Sequence, residues 1–203
     1  MARPREFDTD DALMDAMNVF WEHGYDAASL PELLTGMGLT RGSLYKAFTD
    51  KKNLFLEVLN RYEIEAVDTA VALLTTEPAD GAERIEALFQ SVVEAVQYGD
   101  QRGCLLCSAA AGPAAVDQDI SGIVQLQLNK MSEAFYVALT QSVAHANASE
   151  QDREDIAAML LSQYVGLRTM VRSNTSDEAI RKSVDAIVKV VGDRRSETST
   201  SGD

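Results

Sequence analysis

The sequence predicts an all-α protein, and three observations support this prediction. Apolar residues recur with helical spacing along nearly all of the 203 residues. No segment shows the strict alternation of apolar and polar residues that is typical of a half-buried strand. Residues that begin or end helices, chiefly Ser, Thr, Asp, Asn, Gly and Pro, fall between the apolar repeats. We therefore expect a series of amphipathic helices joined by short connections.

The composition is that of a folded protein without a membrane segment. Hydrophobic residues make up 46% of the chain and charged residues 25%, which is sufficient for a packed core. No run of about 18 apolar residues occurs, and the first residues lack the apolar stretch of a signal peptide. The two cysteines argue against a disulfide scaffold. We expect a cytoplasmic protein.

Residues 1–53 predict a three-helix head that contains a helix-turn-helix. The first helix is expected from Thr9 or Asp10 to His23. A short helix follows, and its start has the capping-box pattern of Ser29 and Glu32. A Gly-Met-Gly turn then leads directly to a second short helix. Two short helices joined by such a turn are typical of a helix-turn-helix.

The second short helix has Thr40 as its expected N-cap. On a helical wheel Leu44, Ala47 and Phe48 share one side, and we expect them to pack inward. The outward set then consists of Arg41, Gly42, Ser43, Tyr45 and Lys46. This set is suited to the major groove of DNA.

The outward residues predict two kinds of DNA contact. Thr40 with the helix N-terminus, Tyr45 and Lys51 are candidates for contacts to phosphates. Arg41 and Lys46 are the side chains best able to reach base edges. These assignments make residues 40–51 the candidate DNA-binding site.

Gly42 is unfavourable inside a helix, by on the order of 1 kcal/mol relative to alanine. Its presence indicates that a partner approaches the backbone there, and DNA is one candidate. The alternative is a plain helical bundle whose glycines form turns and whose lysines are solvated.

The net charge of the whole chain argues against DNA binding, whereas the local charge around the second short helix favours it. The formal net charge is −14, whereas phosphate contacts need Lys and Arg. Residues 41–52, however, contain four basic residues against the single acidic Asp50, a local excess of three positive charges. Local placement matters more than the sum for DNA contact. A helical adaptor that binds protein instead of DNA is the alternative that the acidic total favours.

The segment from Ala12 to Leu59 resembles the N-terminal domain of TetR/AcrR-type regulators. Three motifs carry the resemblance, with Phe20, Gly24, Tyr25 and Ser29 in the first, Gly42, Ser43, Leu44, Tyr45 and Phe48 in the second, and Lys51 and Leu54 in the third. Ala28 departs from the threonine that the family often has, and Lys46-Ala47 departs from its common aromatic or histidine. Only Arg3 and Arg5 are available for the basic N-terminal arm of many members.

The resemblance implies a repressor that binds a palindromic operator in double-stranded DNA as a homodimer. It also implies that residues 54–192 form a helical ligand-binding and dimerisation domain for a small-molecule effector, with the last two helices pairing with a partner subunit. Apolar stripes suit this arrangement, comprising Ile156, Met159, Leu160, Gln163, Leu167 and Met170, and then Ile180, Val184, Ile187, Val188 and Val191. The same stripes also suit the core of one subunit. Residues 193–203 are polar, and we expect disorder there.

The body is expected to contain a long helix from Asp50 to about Thr75. Further helices are expected over residues 80–98, 103–112, 117–147, 150–173 and 177–192. Pro113 and the polar segments at 147–149 and 174–176 separate the last of them.

Candidate ligand-binding residues in the body are mostly aromatic or soft apolar side chains, namely Tyr62, Phe89, Tyr98, Met131, Phe135, Tyr136 and Tyr164. Plain core packing is the alternative for each of them. Arg168 is a charge within an apolar stretch, which suits either an anchor for a carboxylate ligand or a salt bridge.

The segment QRGCLLCSAAAG contains Cys104 and Cys107, which are the candidate sensing residues. We expect Gly103 to precede a helix whose first turn contains Cys104, where backbone N–H groups and Arg102 lower a thiol pKa. The R-G-C-L element resembles a subset of TetR-type regulators that respond to electrophiles or small unsaturated acids. The alternative is a pair of buried, inert cysteines.

The sequence does not favour an enzyme. The C-x-x-C pair lacks the βαβ context of a thiol oxidoreductase, and His23 and His145 are isolated from other metal ligands. Phosphate-binding, dinucleotide-binding and nucleophile-elbow motifs are absent. We expect no cofactor and no metal.

Overall fold

The computed structural model describes residues 8–76 and 78–192. Its α-helices are α1 (Thr9–His23), α2 (Leu30–Gly36), α3 (Arg41–Phe48), α4 (Lys51–Tyr62), α5 (Asp68–Thr75), α6 (Gly81–Gln97), α7 (Leu105–Ala111), α8 (Gln118–Thr140), α9 (Glu150–Arg172) and α10 (Asp177–Gly192). A π-helical turn covers Glu63–Val67, and 3₁₀ turns cover Pro113–Val116 and Val143–His145. Within these residues there is no strand, and the predicted all-α fold is confirmed. None of the described helices is long and apolar enough to cross a bilayer.

Local capping signals fix the starts of the first helices. The Asp8 carboxylate accepts the N–H groups of Asp10 and Asp11, so α1 begins at Thr9. The Ser29 N–H donates to the Glu32 carboxylate at 2.7 Å, and the Ser29 hydroxyl accepts the Glu32 N–H in return. This reciprocal pair is the predicted capping box. The pKa of Glu32 lies below its ordinary value because the Ser29 hydroxyl and N–H donate to the carboxylate.

Two helix limits differ from the prediction, and long-range contacts explain one of them. α8 ends at Thr140 instead of continuing to 147, because the following turn is bound from α6. The Asp80 carboxylate accepts the N–H of Val143 at 2.8 Å, and the Gly81 N–H donates to the carbonyl of Gln141 at 3.2 Å. α7 begins two residues later than expected, since Gly103 has a φ of +70° that a helix does not contain.

The described residues form two compact units. The head unit contains residues 8–65 and 105–125, and the body unit contains residues 66–76, 78–104 and 126–192. By packing, the head unit therefore extends beyond the helix-turn-helix and includes α7 and the start of α8. The functional division expected at residue 53 remains a prediction, and the expected disordered tail lies outside the described residues.

Aromatic side chains hold the head unit together. α1 packs against α4, and Phe20 meets Phe55 edge to face with ring centroids 4.8 Å apart. Tyr25, in the turn after α1, lies 4.7 Å from the same Phe55 ring. Trp21 contacts Tyr62 at 5.1 Å. α1 and the turn after it are thus attached to α4 by three aromatic rings.

The body unit is built around α6, which packs against α5 and α10. Phe89 and Phe135 are fully buried there, with Tyr164 closing a cluster of three rings. Gly81 marks the tightest approach, because a Cβ at this position would lie 1.7 Å from the carbonyl oxygen of Ala138. Only glycine allows α6 to begin so close to α8.

Candidate nucleic-acid interface

The start of α3 is fixed by two hydroxyl groups. The Thr40 Oγ1 accepts the Ser43 N–H at 3.2 Å and lies 3.0 Å from the Ser43 hydroxyl. Thr40 is thus the N-cap that the sequence predicts, and its partner Ser43 is held against the helix. Leu44 and Phe48 are buried and attach α3 to the rest of the head unit.

The opposite side of α3 is open. Arg41, Gly42, Tyr45 and Lys46 are exposed there, as predicted, and Ser43 is half-buried. The Arg41 guanidinium lies 5.8 Å from the centre of the Tyr45 ring, within range of a cation–π contact. Cationic, aromatic and backbone groups are therefore presented together on one short helix.

The expected burial of Ala47 is wrong, because the structure leaves this residue exposed. In α3 only Leu44 and Phe48 point into the core, so the buried stripe is narrower than the helical wheel suggests. The short length of the helix was the available signal, since two turns provide few inward positions. We call the exposed set Arg41, Gly42, Tyr45, Lys46 and Ala47 the recognition face.

Gly42 differs from the other glycines of the helix-turn-helix. Gly24 and Gly38 have φ angles of +79° and +61°, which favour glycine. Gly36 has no room for a side chain, since its Cβ would lie 2.6 Å from Cγ2 of Val19. Gly42 is helical, and apart from its chain neighbours and the backbone of its own helix no described atom lies within 4 Å of its would-be Cβ. Neither conformation nor packing within the described chain requires glycine there, which favours an external partner.

A very short turn connects α3 to α4. The Asp50 N–H donates to the carbonyl of Phe48 at 2.7 Å, and Thr49 between them has a φ of +66° and a ψ of −54°. These values describe a γ-turn with a positive central φ, which is rare and strained outside glycine. The Asp50 carboxylate then caps α4 by accepting the Asn53 N–H at 2.8 Å. A two-residue, hydrogen-bonded turn therefore joins α3 directly to α4.

Lys51 lies against an aromatic ring. Its Nζ is 4.7 Å from the centre of the Tyr25 ring and 3.4 Å from the carbonyl oxygen of Asp26. Partial burial lowers the pKa of this lysine. The pKa of Tyr25 is raised by burial and by the nearby carboxylates of Asp117, Asp26 and Asp50.

Lys52 has a different role from the one that the local charge count suggests. Its Nζ lies 2.8 Å from a carboxylate oxygen of Asp117 and 2.7 Å from one of Asp119. These hydrogen bonds raise the pKa of the lysine and lower that of Asp117. Lys52 is thus neutralised within the head unit, and the expected local excess of positive charge is reduced.

The candidate ligand-binding residues are not brought together as one set. Phe89 and Phe135 meet in the ring cluster of the body unit, and Met131 is buried in the same unit. Tyr62 packs on Trp21 in the head unit. A cavity of about 460 Å³ in the body unit includes only Tyr136 among the candidates and is lined by Asn129, Ser132, Glu133, Tyr136, Glu150, Glu154 and Ala157. Tyr98 is 91% exposed, so its expected place in a pocket lining is wrong. In the described part of the chain no group of three potential metal ligands comes together.

Cys104 and Cys107 are not joined in a disulfide, and Cys104 is buried while Cys107 is partly exposed. Cys104 precedes α7 and Cys107 lies in its first turn, so the expected placement of Cys104 inside the first turn is wrong. Arg102 donates to the Asp100 carboxylate at 3.0 Å. Arg168 donates to the carbonyl oxygen of Gly103. The backbone before Cys104 is thereby attached to α9.

The fold and the recognition face define a helix-turn-helix DNA-binding protein, and comparison with known proteins gives its family. Residues 13–58 match the family model "Bacterial regulatory proteins, tetR family". The uncharacterised HTH-type transcriptional regulator YezE of Bacillus subtilis is 27% identical over 194 residues, which is 94% of this chain and all of that protein. The HTH-type transcriptional repressor ComR of Escherichia coli is 50% identical over 60 residues, which is 30% of this chain and 29% of that protein.

The solved structures agree with this result. A cysteine-substituted variant of the TetR family regulator CifR, complexed with 26-bp double-strand operator DNA, aligns with a TM-score of 0.80 and 28% identity. The alignment covers 92% of this chain and 98% of that one. Residues 13–58 thus match the DNA-binding domain of the tetR family, and the chain as a whole is similar to HTH-type and TetR-type regulators. It is a DNA-binding transcriptional regulator and not an enzyme.

Proposed function

We propose that this regulator is a cytoplasmic, homodimeric repressor that binds a palindromic operator through the recognition face of α3. The observation that carries the proposal is the exposure of Arg41, Tyr45 and Lys46 beside Gly42, whose backbone is open to a partner. Arg41 and Lys46 suit guanine edges, and the Ala47 methyl suits the methyl group of thymine. Thr40, Ser43, Tyr45 and Lys51 suit the flanking phosphates.

Selection of bound sequences from random duplex DNA tests this proposal. We expect a palindromic site, because a two-fold symmetric dimer places two copies of α3 on two half-sites. Lys46→Ala should weaken binding to that site and relax its base preference, and Tyr45→Phe and Lys51→Ala should weaken binding to all sequences.

Lys182→Ala is the matched control, since Lys182 lies on the surface of the body unit, where its Nζ pairs with the Glu178 carboxylate at 2.6 Å. It should leave the operator affinity unchanged. Absence of any enriched sequence at low salt would contradict operator binding and would favour a helical adaptor that acts through protein partners.

Dimerisation is proposed through α9 and α10. Their predicted apolar stripes are only partly buried within the subunit. Ile156, Leu160, Ile180 and Val184 are among the buried members. The stripe members that remain exposed or partly exposed are Met159, Gln163, Met170, Ile187 and Val188. Ser162 and Gly166 on α9 and Ala186 and Val190 on α10 are exposed as well. Small and apolar residues of this kind suit close packing against a second copy.

Sedimentation analysis tests the dimer. Val190→Glu should give monomers, because it introduces a charge into the proposed interface. Val116→Glu is the control, since Val116 is a valine of the head unit that is even more exposed than Val190, at 89% against 57%, and its substitution should leave the dimer intact. A dimer that is insensitive to Val190→Glu would place the interface elsewhere.

The release signal is proposed to be a small molecule or an electrophile or oxidant. Phe89, Met131 and Phe135 are the proposed lining of an effector site in the body unit, with Arg168 as its polar group, while Tyr62 is the remaining candidate. Cys104 and Cys107 are the proposed sensing thiols. Cys104→Ser should keep operator binding but no longer release DNA on treatment with oxidant or electrophile, with Cys107→Ser measured beside it. Unchanged release in both variants would remove the cysteine hypothesis.

A further inference from the structure

The two lysines that open α4 have different environments, although they are adjacent in sequence. Lys51 lies over the Tyr25 ring, whereas the Lys52 ammonium is held between the carboxylates of Asp117 and Asp119 at 2.8 and 2.7 Å. The two aspartates lie at the start of α8. Asp119 follows Lys52 by 67 residues in the sequence. We call Lys52, Asp117 and Asp119 the ion cluster.

The ion cluster is better ordered than an ordinary surface ion pair. The other carboxylate oxygen of Asp117 accepts the N–H groups of Asp119 at 3.0 Å and Ile120 at 3.3 Å, so this side chain caps α8. Ile120 is buried, which fixes the capped turn. Two of the three side chains are also partly shielded, with exposed fractions of 35% for Lys52 and 31% for Asp117. A carboxylate that is already fixed loses little entropy when it binds the lysine.

The segment that supplies the aspartates is part of the head unit. α7 packs against α1 and α4, and the Gly112 Cα lies so close to Asp26 that an added Cβ would be 3.3 Å from its carboxylate. The same segment therefore contacts both the turn after α1 and the start of α4.

The start of α4 is in turn bound tightly to the end of α3. Only Thr49 and Asp50 separate the two helices, and the hydrogen bond from the Asp50 N–H to the Phe48 carbonyl removes the freedom of this connection. An interaction that fixes Lys52 at the start of α4 therefore also limits the orientation of α3 relative to the rest of the head unit.

We propose that the ion cluster positions the recognition face for DNA binding, with Lys52 acting through Asp117 and Asp119 instead of contacting phosphate. Lys52 is a positioning residue in this arrangement. The inference rests on the DNA binding described above and adds residues that the helix-turn-helix itself does not contain.

A purely electrostatic effect would change the operator affinity in the opposite direction, so one measurement distinguishes the two explanations. Removing two negative charges near a DNA-binding surface ordinarily strengthens binding, because repulsion of phosphates decreases. If the aspartates position α3, Asp117→Asn/Asp119→Asn should instead weaken operator binding about five-fold, as expected for a network worth roughly 1 kcal/mol. Asparagine keeps the N-cap of α8 and removes only the charge.

The experiment is a double-mutant cycle measured by operator affinity in the full chain. Lys52→Gln should lose about the same five-fold as the aspartate pair, and the combination of all three changes should be no weaker than either alone. Lys52→Arg should retain the affinity, since arginine can bind both carboxylates. Asp11→Asn/Asp15→Asn is the matched control, because it removes two exposed charges from α1 in the same unit and should leave binding unchanged or slightly stronger.

Additive losses in the cycle, or equal or tighter binding by the aspartate pair, would overturn the proposal. Circular dichroism checks that the variants are folded. If the aspartate pair unfolds, Asp119→Asn alone decides the question, since Asp119 is 67% exposed and its loss should still weaken binding at least about two-fold. If the wild-type chain binds no DNA, the proposed operator binding itself is contradicted, and not only the role of the ion cluster.

Discussion

The backbone N–H of Asp50 donates to the carbonyl oxygen of Phe48 at 2.7 Å, which places Thr49 at a positive φ between α3 and α4. A β-branched residue is unfavourable in this region, by about 1–3 kcal/mol. The connection between the recognition helix and α4 therefore contains strain that is specific to one side chain.

Thr49→Gly should stabilise the protein by about 1 kcal/mol, because relief of the strain exceeds the entropy that glycine adds to the unfolded chain. Thr49→Ala is the control and should give less stabilisation, since alanine retains a Cβ at the positive φ. Urea unfolding measures both. A glycine variant less stable than wild type would show that the turn is not strained.

Gly42→Ala should raise stability while lowering operator affinity. Alanine in an open helical position adds about 1 kcal/mol, and its methyl group would stand where DNA is proposed to approach the backbone. Gly122→Ala is the matched control, as Gly122 is also helical and has open space around its would-be Cβ. The control should gain stability without any change in operator affinity. Equal affinities for both variants would contradict a close approach at Gly42.

Acid should remove the contribution of the ion cluster to stability. The pKa of Asp117 is lowered by its hydrogen bond from Lys52, so this contribution is present above the ordinary carboxyl pKa of about 4 and is lost as pH falls through the lowered value. Wild type should melt at a higher temperature than Asp117→Asn at about pH 5 to 8, and the difference should decrease steadily as the pH falls below about 4. Thermal unfolding over this pH series is the measurement. If the difference in melting temperature persists at low pH, it arises from the N-cap of α8 and not from the charge of Asp117.

Gly81→Ala should destabilise the body unit by about 3 kcal/mol, since the new Cβ would fall 1.7 Å from the Ala138 carbonyl oxygen and the obstructing atom is backbone. Chemical unfolding checks this expectation, again with Gly122→Ala as the control for an unobstructed site. A loss below about 1 kcal/mol would mean that α6 and α8 separate easily.

Local signals in the sequence predicted the helices of the head because their causes lie within four residues. The capping box at Ser29 and Glu32 and the cap at Thr40 are of this kind, and both are confirmed. The same holds for most of the recognition face, whose members are exposed as expected.

The remaining differences depend on residues far apart in sequence. α8 stops at Thr140 because Asp80, 63 residues before Val143, binds the turn that follows it. The charge of Lys52 is neutralised by aspartates that no pattern near α4 indicates. The helical wheel places Ala47 inward, but only Leu44 and Phe48 of this short helix are buried, because burial depends on the packing of the other helices of the head.

The pairing of Lys52 with two aspartates also affects how the regulator behaves on a whole chromosome. Attraction to DNA of arbitrary sequence depends almost entirely on cationic side chains, and this chain has 18 of them against 32 carboxylates, for a net charge of −14. A bacterial genome presents on the order of a million or more competing sites. Because each of them retains the protein only weakly, a larger share of its molecules stays available for the proposed operator, and fewer copies per cell are needed to occupy it.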